Sequence, residues 1–174
     1  MFRNVTTPNF RIGIGHDTHR LADGGPLRLG GVDIPHDKHL VGHSDADVLL
    51  HAITDAILGA ANMGDIGEMF PNTDDRNRGR DSAEMLRLAH EKVRYAGWQI
   101  VNLDCIVHAQ RPKLLDYKLD IRQRIAEILD LTRDHVGVKG KTGEHVGPVG
   151  HEEAMQAECV VLLERSADHH GTEY

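Results

Sequence analysis

Asp17 and His19 lie two residues apart at the end of an alternating apolar stretch. In an extended chain such residues point the same way, so the pair can share one ligand. A second supply is a helical pattern in which Asp47, His51 and Asp55 recur every four residues, with Ser44 at its head. They form a polar stripe on an otherwise apolar helix, and the His51 imidazole, between Leu50 and Ala52, needs a partner if it is buried. Asp17, His19 and His51 would present two nitrogens and one oxygen to a divalent ion and leave a coordination position open. That set suits a catalytic zinc rather than a structural one. The alternative is a surface Asp-x-His turn, with His51 bonded to Asp47 or Asp55.

A second cluster runs from Gly137 to Gly147 (GVKGKTGEHVG). Gly-rich backbone with Lys141 and the Thr142 hydroxyl suits phosphate oxygens, and Glu144 suits a hard cation such as magnesium. The Gly-x4-Gly-Lys-Ser/Thr spacing is absent, and a solvated turn between strands explains the same residues. Gly64-Asp65-Ile66-Gly67 reads as a binding turn or a helix exit. Arg111-Pro112-Lys113 reads as a phosphate contact or a helix start. No Gly-x-Ser-x-Gly supports a nucleophilic triad.

The elements that must carry these residues follow from periodicity. Phe10, Ile12 and Ile14 alternate with Arg11, Gly13 and Gly15 as in a strand. Leu27 and Leu29, then Val32 and Ile34, flank Gly30-Gly31 as in a hairpin. Ser44-Asp45-Ala46-Asp47 opens a helix as a capping box, with Val48, Leu49, Ala52, Ile53, Ala56 and Ile57 as its apolar stripe. A second helix starts at Asp81 and ends at Gly97. Trp98 to Gln110 is a long strand, and Pro112 begins a helix carrying Leu114, Tyr117, Ile121, Ile125 and Ile128. Val136 to Gly140 and Met155 to Leu163 are further strands. The polar run Pro71 to Asp81 is a loop long enough to move. These elements predict an α+β two-layer domain over residues 10–165, a mixed sheet with helices packed on one face. Residues 1–9 and 166–174 are expected to be flexible ends, with His169-His170 incidental.

Composition closes several functions. The chain of 174 residues has 20 Lys or Arg against 27 Asp or Glu, a formal charge of −7. That balance argues against a nucleic-acid partner, and no apolar run approaches a membrane span. The 13 histidines exceed the roughly nine of an even spread and suggest metal or phosphate chemistry. Cys105 and Cys159 lie in strand-like stretches and read as buried free thiols. The first residues lack the apolar core of a targeting peptide, so a cytoplasmic protein of bacterial type is expected, or a trimmed plastid form.

Taken together, the blocks resemble the 2-C-methyl-D-erythritol 2,4-cyclodiphosphate synthase family. The matching segments are Arg11 to Arg20 (RIGIGHDTHR), Gly30-Gly31-Val32-x-Ile34-Pro35, and His43-Ser44-Asp45-Ala46-Asp47-Val48 with Leu50 to Ala56. Gly64 to Gly67 with Phe70-Pro71, Ala109-Gln110-x-Pro112-Lys113-Leu114 and Lys139-x-x-Thr142-x-Glu144 follow in order. The resemblance covers residues 11 to 164. It implies a cyclising phosphorus-oxygen lyase. In 4-diphosphocytidyl-2-C-methyl-D-erythritol 2-phosphate, the 2-phosphate attacks the β-phosphorus, closes a cyclic diphosphate and expels CMP. It implies zinc (or manganese) on Asp17, His19 and His51, and magnesium (or manganese) on Glu144 beside the diphosphate. His43 and Thr142 match the transition-state stabilisers, Asp47 an orienter of imidazoles, and Thr18 and Ser44 further substrate contacts.

The resemblance further implies that Asp65, Ile66 and Gly67 hold the erythritol phosphate, under a loop of Phe70, Pro71, Asn72, Thr73 and Asp74. Ala109, Gln110, Arg111, Pro112, Lys113, Leu114 and Leu115 would form the cytidine pocket, and Lys141, Thr142, Gly143 and Glu144 the diphosphate turn. It implies a homotrimer with active sites between subunits. The chain departs from the family at Lys141, where threonine is common, and at Asn72, where aspartate is common. Pro148 replaces an aromatic and His151 an arginine at positions lining the family's central trimer cavity. A zinc-dependent phosphohydrolase, or a non-catalytic trimeric metal- or nucleotide-binding protein, is the alternative to the synthase.

Overall fold

A computed structural model describes residues 9–166. The expectations for residues 1–8 and for His169-His170 lie outside them. Five strands form the main sheet: β1 (Phe10–Asp23), β4 (Lys38–Val41), β5 (Trp98–His108), β6 (Val136–Lys141) and β7 (Ala154–Arg165), in the order β4-β1-β7-β5-β6. All neighbours are antiparallel except β5 and β6, so the sheet is mixed. β2 (Leu27–Leu29) and β3 (Val32–Ile34) form the separate hairpin. Gly30 and Gly31 turn it at φ +62° and +76°, the left-handed pair that matches strand twist in a two-residue hairpin.

Helices α1 (Val48–Ala61), α3 (Ser82–Tyr95) and α4 (Lys118–Ile128) accompany the sheet, joined by the short α2 (Ile66–Met69) and α5 (Gly147–Gly150). The α+β architecture expected from periodicity is present. β1 is longer than its apolar alternation indicates, because β7 pairs with it from Phe10↔Glu164 to Arg20↔Ala154. Its polar second half is held by ladder bonds that no hydrophobic pattern reports.

Two starts differ from expectation. Helix α1 begins at Val48, capped by Asp47 accepting from the Leu50 N–H, so the expected box at Ser44 is not the cap. The same carboxylate explains the shift. Its Oδ1, which takes the Leu50 N–H, also accepts from Gly30 at 2.9 Å, and its Oδ2 accepts from Gly31 at 2.7 Å, tying the hairpin turn to the helix start. Nor does Pro112 begin a helix. Its peptide bond with Arg111 is cis, a 3-10 turn covers Leu114–Asp116, and α4 starts at Lys118.

Two glycines set the distance between sheet and helix. Gly13 and Gly15 share the inward row of β1 with Asp17 and His19. A Cβ on Gly13 would stand 2.1 Å from the Ala56 carbonyl oxygen, and one on Gly15 1.9 Å from that of Ala52. Helix α1 therefore rests its backbone directly on β1. Cys105 and Cys159 are buried and directly opposite on β5 and β7, as expected for core thiols. Among the described residues no helix is long and apolar enough to cross a membrane.

Buried His90 on α3 supplies a stability test. Burial, aided by the Arg94 charge against weaker opposition from Asp130 and Glu91, pushes its pKa down to about 4 from 6.5. Between those values the unfolded chain binds a proton that the folded chain refuses, so stability falls as pH drops through that window. Urea unfolding of metal-free protein should show His90 costing at most about 3 kcal/mol on acidification. His90→Leu should remove that share.

Candidate metal centre

The inward row of β1 that begins with the two glycines continues through Asp17 and His19, and the residue before Ala52 on α1 lies at the same level. There His51 meets the pair. Asp17 Oδ2 lies 2.9 Å from His51 Nδ1 and 3.0 Å from His19 Nε2, and the two nitrogens are 3.0 Å apart. Three lone-pair atoms directed at one point repel unless a proton or cation lies among them. A tetrahedral zinc with arms of roughly 2.0 Å separates its ligands by about 3.3 Å, close to this triangle. The donor set therefore fits a divalent ion with one position left open, and this is the group of acidic and imidazole side chains close enough to hold a metal among the described residues.

Each imidazole is presented by a bond on its far nitrogen. His19 Nδ1–H donates to the Val41 carbonyl at 3.0 Å, leaving Nε2 for the centre. His51 Nε2–H reaches the Ser82 Oγ at 2.8 Å and the Ser44 Oγ at 3.0 Å, leaving Nδ1. Asp47 does not orient either ring, contrary to expectation, because all its bonds go to the hairpin and helix start. Asp55 accepts from the Ile66 N–H instead of His51. Burial acts against the Asp17 carboxylate, but hydrogen bonds from His19 and His51 overcome it and hold its pKa well below the usual range. Burial likewise opposes charge on His19, and the Asp17 bond prevails to raise its pKa.

The triangle lies in a cleft of about 210 Å³ lined also by His43, Ser44, Ile66, Gly67, Phe70, Asn72, Asn77 and Met85. His43 Nε2 is buried there without a hydrogen-bond partner. Asp65 caps α2 by accepting from Glu68 N–H, which sets Ile66 and Gly67 at the rim. Asp74 lies outside this cleft, paired with Arg76, and Pro71 accepts from the buried Asn77 amide. Thr73 follows in the same loop, while Thr18 lies on the exposed row of β1 between Asp17 and His19. Asn77, Met85, Ser82 and Asp45 are absent from the sequence-derived list. Ser82 was visible only as part of a helix start.

The other expected residues gather elsewhere. Ala109, Gln110, Pro112, Lys113, Leu114, Leu115, Lys141 and Thr142 line a second, more apolar cleft of about 210 Å³ that shares no residue with the first. The exposed Arg111 guanidinium pairs with Glu152 at 3.0 Å and lies 3.5 Å from Asp37. Gly143 packs against Gly150, where a Cβ would stand 2.3 Å from the backbone nitrogen. Glu144 is exposed at φ +50° and accepts the Thr142 hydroxyl at 2.8 Å. Pro148 sits in α5, and His151 follows it exposed.

Comparisons with known proteins agree with this fold. The YgbB family profile matches residues 10–164. The 2-C-methyl-D-erythritol 2,4-cyclodiphosphate synthase of Chromobacterium violaceum is 56% identical over 154 residues, 88% of this chain and 98% of the relative. That of Rhodopirellula baltica is 51% identical over 156 residues, 90% and 94% of the two chains. Among solved structures, a 2C-methyl-D-erythritol-2,4-cyclodiphosphate synthase in its CDP-bound form superposes with TM-score 0.82 at 38% identity, covering 88% of this chain and 100% of the other. The bifunctional IspDF of Campylobacter jejuni gives TM-score 0.86 at 43% identity, with 90% of this chain spanning 42% of that one. With a profile spanning the whole sheet-and-helix domain and relatives half identical to it, the chain belongs to the YgbB family.

Proposed function

We propose that the chain converts 4-diphosphocytidyl-2-C-methyl-D-erythritol 2-phosphate to 2-C-methyl-D-erythritol 2,4-cyclodiphosphate and CMP. The observation that carries this reading is the triangle of Asp17, His19 and His51 lining the first cleft. Zinc (or manganese) held there supplies a Lewis acid for a phosphate oxygen when bound. Displacement at phosphorus needs alignment and charge neutralisation more than covalent help, and the protein's own groups serve that need. His43 lines the cleft, and its Nε2 lacks a hydrogen-bond partner that a phosphate oxygen would supply. Ile66 and Gly67 border the erythritol end, and the loop of Phe70 to Asp74 covers it. A substrate oxygen of the 2-phosphate forms the new bond to the β-phosphorus, and the bond to the CMP oxygen breaks, with its electrons leaving on CMP.

The nucleotide end belongs in the second cleft, among Ala109, Lys113, Leu114 and Leu115. Lys141, Thr142 and Glu144 stand on the following turn, and a single exposed carboxylate suits a magnesium (or manganese) ion that keeps its waters. The family resemblance implies that a substrate bridging both takes one cleft from each of two copies of the chain. An outward apolar row supports such a homotrimer: Phe10, Ile12, Ile14 and Val160 are 55, 76, 71 and 49% exposed, an apolar patch that soluble monomers seldom leave uncovered. The domain is taken as residues 10–165 and its location as the cytoplasm.

Incubation with the substrate, followed by phosphorus NMR, tests the reading. Cyclic diphosphate with CMP is expected. CMP with a linear product would make the protein a phosphohydrolase, and no turnover a binding protein. Glu144→Ala should retain zinc in elemental analysis yet lose magnesium-dependent turnover by about two orders of magnitude.

A further inference from the structure

His51 is the metal-facing residue whose outer nitrogen is met by side chains alone. Its Nε2 lies 2.8 Å from the Ser82 Oγ. The Ser82 hydroxyl in turn donates to an Asp45 carboxylate oxygen in a very short contact, and the Ser82 N–H donates to the other oxygen at 3.2 Å. Arg28 Nε stands 3.5 Å from that second oxygen. Ser82 is fully buried, so its hydroxyl has no water to choose instead. The Ser44 hydroxyl also reaches His51 Nε2, at 3.0 Å, but it already accepts the Ala46 N–H and has no carboxylate behind it.

Two backbone hydrogen bonds hold the partners in register. Gly79 N–H donates to the His43 carbonyl at 2.8 Å, and Asp45 N–H to the Arg80 carbonyl at 3.1 Å. The exit of the loop over the cleft is thereby laced alongside residues 43–45.

We propose that Ser82 and Asp45 are positioning residues for the metal centre. In this arrangement His51 Nε2–H donates to Ser82 Oγ, whose own hydroxyl donates to the Asp45 carboxylate, and Nδ1 is left bare toward Asp17 and His19. The inference rests on the metal reading of the triangle. A carboxylate behind the hydroxyl makes it a better acceptor, fixes the ring plane and raises the donor strength of Nδ1. It also joins the end of the covering loop to a ligand of the ion, although Ser82 and His51 are far apart in sequence.

Zinc affinity, measured against a chromophoric chelator, provides the readout. Ser82→Ala is expected to bind zinc about 10- to 100-fold more weakly, the usual scale for an outer partner of a ligating histidine. Asp45→Asn retains an acceptor oxygen without its charge and should lose about 3- to 10-fold. Because Asp45 acts through the hydroxyl, the double variant should match Ser82→Ala alone. Melting of the metal-free proteins separates general structural damage, which would shift it in proportion to the affinity loss.

Wild-type affinity in folded Ser82→Ala, or additive losses in the double variant, would overturn the proposal. Should Ser82→Ala not fold, proton–nitrogen NMR of zinc-loaded wild-type protein decides. A slowly exchanging His51 Nε2 proton is expected, and its absence rejects the relay. Wild-type protein that takes up no zinc would instead defeat the metal reading itself.

Discussion

Replacing His51 by alanine will leave a folded protein that neither retains zinc through dialysis nor turns over substrate. The side chain supplies one of three ligand atoms, and the other two, Asp17 Oδ2 and His19 Nε2, stay on β1 at 3.0 Å from one another. A bidentate remnant of that kind is a poor site. Sharing the roughly 10–16 kcal/mol typical of complete zinc sites among their ligands, one ligand is worth about 4 kcal/mol, or three orders of magnitude in affinity. The fold should survive because the apolar residues of α1, including Leu49, Leu50, Ile53 and Ile57, are fully buried independently of the ring. Elemental analysis of metal per chain and far-ultraviolet circular dichroism check the two halves of the statement. Full zinc occupancy in His51→Ala would remove the assignment of the triangle.

A methyl group on Gly15 will do comparable damage from outside the centre. Its Cβ would sit 1.9 Å from the Ala52 carbonyl oxygen, and backbone cannot swing aside as a side chain can. Ordinary contact requires α1 to withdraw by more than about 1 Å, which loosens its seam with β1 and carries His51 away from Asp17. Gly15→Ala should therefore cost about 3 kcal/mol, roughly 6–12 °C in melting temperature for a chain of this size. Surviving folded protein should bind zinc at least about tenfold more weakly, since catalytic and ligand geometry tolerates little displacement. The contrast is Gly59→Ala on the same helix. There a Cβ meets only the Ile14 carbonyl oxygen at 4.0 Å, and the helix should gain roughly 0.5–1 kcal/mol. Equal melting temperatures for Gly15→Ala and wild type would show that the close seam is not what places the centre.

Local pattern determined much of this protein. Alternation through Phe10, Ile12 and Ile14 announced β1, the Gly30-Gly31 pair announced the hairpin, and the Asp17-x-His19 spacing put two ligands on one side of a strand. The stripe of α1 placed His51 on the helix that packs there. Each is a short-range property, written in residues a few positions apart. What local pattern misplaced was set by distant partners. Asp47 rather than Ser44 caps α1 because the same carboxylate also holds the hairpin glycines.

Sheet order, the split of the expected residues into two clefts, the engagement of Arg111 by Glu152 and Asp37, and the Asp45–Ser82–His51 chain had no signature in the sequence. All of them join segments distant along the chain. Spacing within an element fixes which way a side chain points. Only packing between elements, here the glycine seam that lays α1 on β1, decides which side chains come close enough to share an ion.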